Sequence, residues 1–439
     1  LRALYWFTRD LRLHDNPGLM QCSDADLLLC VFVVDPHWFE PGHFQSRTMG
    51  THRWRFLWQS LSDLDHQLRA QGQRLHIAVG RPHKVIPELC RSYHIDHLCR
   101  SRLAGTTEAL DWQQTVAALP GIQHSQYEAT SLFEQSNLPF DLADLSATFS
   151  QFRKQVENVD LQPTDPLGDP IALPPAPGLP NDDRHLCPPL NTSATDSRMC
   201  GGERVALSHL YHYVFERRQI VTYKETRNAL DDWYSSSKFS PWLANGSLSV
   251  RTVAAQVRLF EERDQRNDST YWLYFELLWR EYFHWYALKY GRQLFQRDGV
   301  QRKRRPVSFY PQRFRAWCEG TTPYPLVNAC MNQLRETGYL SNRGRQLAAS
   351  CFVNELGLDW RFGAAWFEEQ LIDYDVASNY GNWQYLAGVG ADPRGLRQFN
   401  LEKQARQYDP EGHFVARWNG QAEHMTPLYT VDAADWPVG

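Results

Sequence analysis

The 439-residue chain has no stretch approaching the ~18 consecutive apolar residues that a membrane-spanning helix needs, which excludes a helical membrane protein. Its longest apolar run, Leu27 to Val34, is strand-sized and ends at Asp35. Cysteine pairing is missing too. The nine cysteines are odd in number, scattered, and contain no C-x-x-C, which argues against a disulfide framework or a zinc site and suits a reducing compartment. No Arg-rich leader or signal pattern stands at the start, so a cytoplasmic location is expected. Neither sign of charge dominates: 46 Lys and Arg face 50 Asp and Glu, a net charge of -4, so any nucleic-acid site must be a local patch. No G-x-G-x-x-G follows a strand, which removes the best support for a dinucleotide-dependent dehydrogenase. His209 and His212 are the nearest thing to a metal pair, and Cys200, Cys318, Cys330 and Cys351 have no regular spacing. No metal is expected.

What the chain does have is aromatic side chains. Sixteen Trp, 20 Tyr and 22 Phe make up 13% of it, and eleven of the Trp lie from Trp233 onward, so the two halves differ chemically. In residues 1–130, apolar runs at Leu4–Phe7, Leu27–Val34, Leu75–Val79 and His97–Cys99 alternate with helix-like stretches. One of these, from Trp54 to Leu68, repeats apolar residues every three or four positions. The pattern predicts an α/β domain with a doubly wound parallel sheet. Residues 131–200 read as an inter-domain linker, with nine prolines between Gln162 and Pro189. Residues 201–439 read as an all-α domain.

Three constellations there have chemical content. Ser235-Ser236-Ser237-Lys238-Phe239-Ser240-Pro241 offers hydroxyls, a cation and a helix-starting proline, a set suited to a phosphate and equally to a capped loop. Glu276 and Arg280, four apart beside Trp279, either line a pocket for a flat ring or form an ordinary intrahelical ion pair. Asn342, Arg345, Asp373, Asp375 and Asn379 form a set of donors and acceptors with no nucleophile among them, better suited to holding an organic cofactor than to hydrolysis. The run Arg302-Lys303-Arg304-Arg305, with Arg313, Arg315 and Arg343 beyond it, is the strongest basic cluster.

Tyr5-Trp6-Phe7-Thr8-Arg9-Asp10-Leu11-Arg12-Leu13-His14-Asp15-Asn16 resembles the opening signature of the photolyase and cryptochrome flavoproteins. The resemblance continues through Glu276–Glu281, Asn342–Gln346, Asp359–Arg361 and Leu371–Tyr385, covering both halves. Tyr223–Asn228, Lys238–Leu243 and Asn379–Gly390, together with Gln346 and Tyr385, resemble the DASH branch. The resemblance implies FAD held without a covalent bond in the helical domain. Tyr223, Ser236, Ser237, Lys238, Phe239 and Ser240 would lie along the diphosphate and ribityl part, and Arg280, Asn342, Arg345, Asp373, Asp375 and Asn379 around the flavin. Glu276, Trp279, Asn342 and Asn379 would act in catalysis. Arg227, Glu276, Trp279, Arg343, Gln346 and Tyr385 would meet DNA. Trp383 and Trp360 match the first two members of the family's electron-transfer chain, whereas the third position falls on Val307, with Phe309, Tyr310 and Trp317 as nearby aromatic substitutes. Glu108 matches a glutamate that binds a folate antenna, 5,10-methenyltetrahydrofolate.

The expected function is blue-light repair of cyclobutane pyrimidine dimers in single-stranded DNA, by an electron from excited reduced FAD, in a lyase that acts as a monomer away from membranes. RNA is kept as a second possible strand. The alternative is an FAD photoreceptor that binds nucleic acid without appreciable repair.

Overall fold

A computed structural model describes residues 1–169, 172–178, 182–190, 198–392, 395 and 397–421, with the backbone of 437–438. Five strands form one parallel sheet: β1 (Arg2–Phe7), β2 (Leu27–Val34), β3 (Leu75–Val79), β4 (His97–Ser101) and β5 (Gln123–Tyr127), in the order β3-β2-β1-β4-β5. The reversal of strand order at β1 is the doubly wound arrangement, with helices on both faces. The central strands β1 and β2 are almost wholly buried, because their side chains feed apolar clusters on either side of the sheet. Four of these strands match the apolar runs. The fifth, β5, has the sequence Gln-His-Ser-Gln-Tyr and is mostly exposed at the sheet edge, so no apolar run announces it.

From residue 203 onward, apart from a two-residue ladder between Val307–Ser308 and Pro437–Val438, the described secondary structure is helical. Its centre is the helix Asp268–Tyr290, opened by a capping box in which Asn267 and Thr270 satisfy each other's backbone N–H groups. This helix buries residues on all sides and is crossed by the helix Val376–Ala387.

Residues 131–200 do not behave as one connector. Leu132, Phe133, Leu145, Phe149, Phe152 and Val156 join the helical core, and Phe149–Asn158 is itself a helix, capped by Thr148. Further along, Pro175 accepts from the Leu28 N–H, while Asp183 and Arg184 bond the backbone of Val79 and Leu75, so this stretch straps the β2 and β3 side of the sheet. Residues 170–171, 179–181 and 191–197 lie outside the described residues.

The two halves meet through the N-terminal motif. Arg12 is 1% exposed and donates to the carbonyls of His14, Asp15, Ala129 and Gly246. Gly246 has φ +76, and a Cβ there would lie 2.0 Å from the Arg9 carbonyl oxygen, so a larger residue would push the halves apart. Glu281 fastens the 131–133 segment by accepting from the Leu132 and Phe133 N–H groups and the Trp285 indole. Burial nevertheless pushes its carboxyl up to about 7. The folded state therefore holds an extra proton between the ordinary carboxyl range and about pH 7, and its stability falls as pH rises through that window. Denaturant melts between pH 5 and 7.5 should show a loss on the order of 3 kcal/mol that is absent in Glu281→Gln; equal slopes would remove Glu281 as the cause.

Candidate functional site

The helix Asp268–Tyr290 aims Glu276 and Arg280 at different partners, so the intrahelical ion pair that their spacing allows is not formed. Glu276 pairs with Arg227 at 2.5 Å, and burial pushes its carboxyl up against the pull of that guanidinium. Arg280 donates to the carbonyls of Thr130 (2.6 Å) and Leu243 (3.4 Å) and faces Asp375. Burial opposes ionisation of Asp375, but Arg280 and Arg9 outweigh it and hold the carboxyl below its ordinary range. Tyr223 is buried within reach of Glu276 and Arg227, and burial raises its phenol.

The hydroxyl segment turns sharply at Lys238, whose φ of 56° is in the left-handed region. The Lys238 side chain is buried, its Nζ 3.0 Å from Ser236 Oγ and over the Tyr339 ring, with no carboxylate in ion-pair range among the described residues. Ser237 is fixed through its carbonyl, which accepts from His209 Nε2 at 2.8 Å, and Phe239 packs on His209 and Tyr213. Ser240 Oγ and an Arg345 guanidinium N–H each donate to Asp373 at 2.6 Å, and the Arg345 guanidinium also lies over the Tyr339 ring. Asp373 Oδ1 is buried and has no donor.

A buried ammonium without a counter-ion and a buried carboxylate oxygen without a donor are both costly in a dry interior. They stand on one connected surface, Lys238–Tyr339–Arg345–Asp373–Ser240, and call for a ligand with an anion at one end and donors at the other. FAD fits that demand: its diphosphate suits Lys238 and the serines, and its hydroxyl and N–H groups suit Asp373.

Asp375 caps the helix Val376–Ala387 by accepting from the Ser378 N–H, and this helix carries Asn379, Trp383 and Tyr385. Asn379 is buried and donates to the Ala364 carbonyl. Trp383 lies against Phe367, Phe352 and Trp317, and a Cβ on Gly363 would come within 2.3 Å of its indole, so glycine is required for that helix crossing. Trp360 donates to the Arg297 carbonyl and meets Tyr380 edge-on at 6.2 Å. Val307 lies beside the bridge from Ser308 to Leu358, two residues from Trp360. Of the neighbouring aromatics, Trp317 is fully buried, Phe309 stacks on Phe362, and Tyr310 is half-buried under Arg313. Trp317 therefore has no face toward solvent.

Trp279 has one face stacked on Phe149, 3.8 Å between centroids, and meets the ring of Tyr385 edge-on at 5.9 Å. Arg343 sits over Tyr408 and approaches Asn228, Gln346 is half-buried on the same helix, and Asn342 is exposed at that helix's start.

A cleft of about 550 Å³ between the halves is lined by Trp38, Arg53, Glu108, Glu368, Tyr374 and Tyr380, among others. Glu108 is 3.3 Å from Arg9, which also approaches Asp375 at 3.8 Å. Arg9 thus touches both the cleft and the carboxylate opposite Arg280. The sequence reading did not assign it to a site; the available signal was its place inside the Thr8-Arg9-Asp10 motif.

Residues 3–172 match the DNA photolyase domain family, and residues 272–437 match the FAD binding domain of DNA photolyase. A cryptochrome DASH of Idiomarina loihiensis is 49% identical over 99% of this chain and 96% of its own length. A Synechocystis cryptochrome crystal structure superposes with a TM-score of 0.91 at 39% identity, covering 95% of this chain and 88% of the other. A class III photolyase from Agrobacterium tumefaciens superposes with a TM-score of 0.82 at 27% identity, covering 95% and 86% respectively.

Proposed function

This chain belongs to the photolyase and cryptochrome flavoproteins, among the DASH cryptochromes, and from that premise we propose that it repairs cyclobutane pyrimidine dimers in single-stranded DNA under blue light. FAD held by Lys238, Ser240 and Asp373 would, once reduced and photoexcited, supply the electron that opens a cyclobutane ring. The observation that carries the reading is the Glu276–Arg227 pair on the helix that also carries Trp279, one turn on, whose ring meets Tyr385 edge-on. Burial favours the neutral form of the Glu276 carboxyl against the pull of Arg227, and in that form its O–H would donate a hydrogen bond to a pyrimidine carbonyl where negative charge develops. Trp279 and Tyr385 offer ring surface to an extruded base. Extrusion costs least from a strand with no complement, which favours single-stranded DNA.

Lys238, Ser236 and Asp373 would hold FAD, with Arg280 and Asp375 setting the charge beside it and Asn379 presenting its amide. Asn342 would stand at the entrance, and Arg343 and Gln346 along the strand. Glu108 and the inter-domain cleft would take a folate antenna, 5,10-methenyltetrahydrofolate. The nine free cysteines support a reducing compartment such as the cytoplasm, and the protein is read as a monomer.

The test is illumination of the reduced protein with a dimer-containing oligonucleotide, single-stranded or duplex, followed by analysis of the products. Regenerated thymines from the single strand are expected. No repair despite intact flavin and strand binding would select the photoreceptor reading instead. Trp383→Phe should keep its FAD and lose light-driven reduction, while repairing normally once reduced chemically. Unchanged photoreduction would take Trp383 and Trp360 out of the electron path.

A further inference from the structure

The basic run at 302–305 has no part in the site described above, and its setting gives it one. Arg302, Lys303 and Arg304 are exposed, and no carboxylate lies within ion-pair range of any of the three among the described residues. Two acids on the segments that anchor the run are paired with other cations: Asp298 with Arg297 at 3.1 Å and Asp392 with Arg397 at 2.5 Å. Adjacent cations without counter-charge repel each other, so the run gains most from an external polyanion.

The run is also held in place. The Gln301 N–H donates to the Val389 carbonyl at 3.1 Å, its side-chain amide donates to the Asp392 carbonyl, and the Lys303 N–H donates to the Asp298 carbonyl. Arg305 is used structurally, donating to the Gly388 carbonyl at 3.3 Å. Gly388 caps the helix that carries Tyr385 three residues earlier, and Arg397 from the same loop covers the Tyr385 ring. The three cations, without an ion pair among the described residues, are therefore fixed beside the end of the helix that supplies a ring to the base-binding site.

We propose that Arg302, Lys303 and Arg304 form a phosphate track that holds a nucleic-acid single strand where it passes Tyr385, independently of any lesion. The inference rests on the reading of Tyr385 as a strand-facing residue and adds how the flanking backbone is gripped. Phosphate contacts carry no sequence or damage information, so the track sets affinity and register, not dimer preference.

The experiment measures binding of the flavin-loaded protein to undamaged oligothymidylate and oligouridylate by fluorescence anisotropy across salt concentrations. Each lost phosphate contact flattens the log–log salt dependence by about 0.7 for a single strand, so the Arg302→Gln/Lys303→Gln/Arg304→Gln variant should lose about 2 from the slope. Between 50 and 200 mM salt, the parent protein should then lose about fifteenfold more affinity than the variant. Arg302→Lys/Arg304→Lys should keep the parent slope. A smaller slope on DNA alone would assign the track to DNA, and on both polymers to a shared phosphate grip. An unchanged slope in the triple variant, with melting temperature and flavin absorption also unchanged, overturns the inference. Failure of dimer repair with the slope effect intact would refute the repair reading and leave the track standing, and repair without the slope effect would do the reverse.

Discussion

Asp373→Ala should yield purified protein almost free of flavin. The Asp373 side chain is 1% exposed, takes two 2.6 Å hydrogen bonds from Ser240 and Arg345, and keeps a second oxygen with no donor of its own. Its removal takes away that acceptor and strands Arg345, whose charge burial disfavours and Asp373 sustains. Breaking a fully buried pair costs about 3–5 kcal/mol. Arg345 is 26% exposed, which reduces the expected loss to about 2–3 kcal/mol. Asp373→Asn restores the volume without the charge and should fall between the two in flavin content. The ratio of flavin to protein absorbance, with a thermal melt, reads both effects. Full flavin loading in Asp373→Ala would show that the orphan oxygen serves something other than the cofactor.

Glu276→Ala should separate binding from repair. Its carboxyl contacts Arg227 and no residue of the Lys238–Asp373 group, so flavin content is expected to stay close to that of the parent. The loss falls on the lesion: a hydrogen bond between a neutral carboxyl and a neutral carbonyl is worth about 0.5–1.5 kcal/mol, or about two- to tenfold in affinity for a dimer over undamaged sequence. The yield per bound flavin should fall with it, because the carbonyl that accumulates charge loses its donor. Glu276→Gln keeps a donor and should recover part of both. If Glu276→Ala instead loses flavin while repair per remaining flavin is unchanged, its role is to hold the fold around Arg227.

The fold was legible wherever burial forces an apolar run. β1 and β2 have nearly every side chain covered, and the periodic residues from Trp54 to Leu68 lie within the helix Thr51–Ala70. It was not legible at β5, an edge strand of polar residues held by pairing to β4, nor at Leu132 to Val156, whose burial depends on a helix more than a hundred residues away. The site shows the same limit. Spacing placed Glu276 and Arg280 on one helix but could not show that Arg227 takes the carboxylate and Thr130 the guanidinium, since both partners arrive through tertiary contacts. Arg9 escaped notice for the same reason: its partners Glu108 and Asp375 are brought together only when the two halves close.

The most direct measurement is the cofactor released when the purified protein is denatured. One FAD per chain is predicted, held by the surface from Lys238 to Asp373. A chain that releases no flavin, and takes up none when refolded with it, would contradict the account at its base.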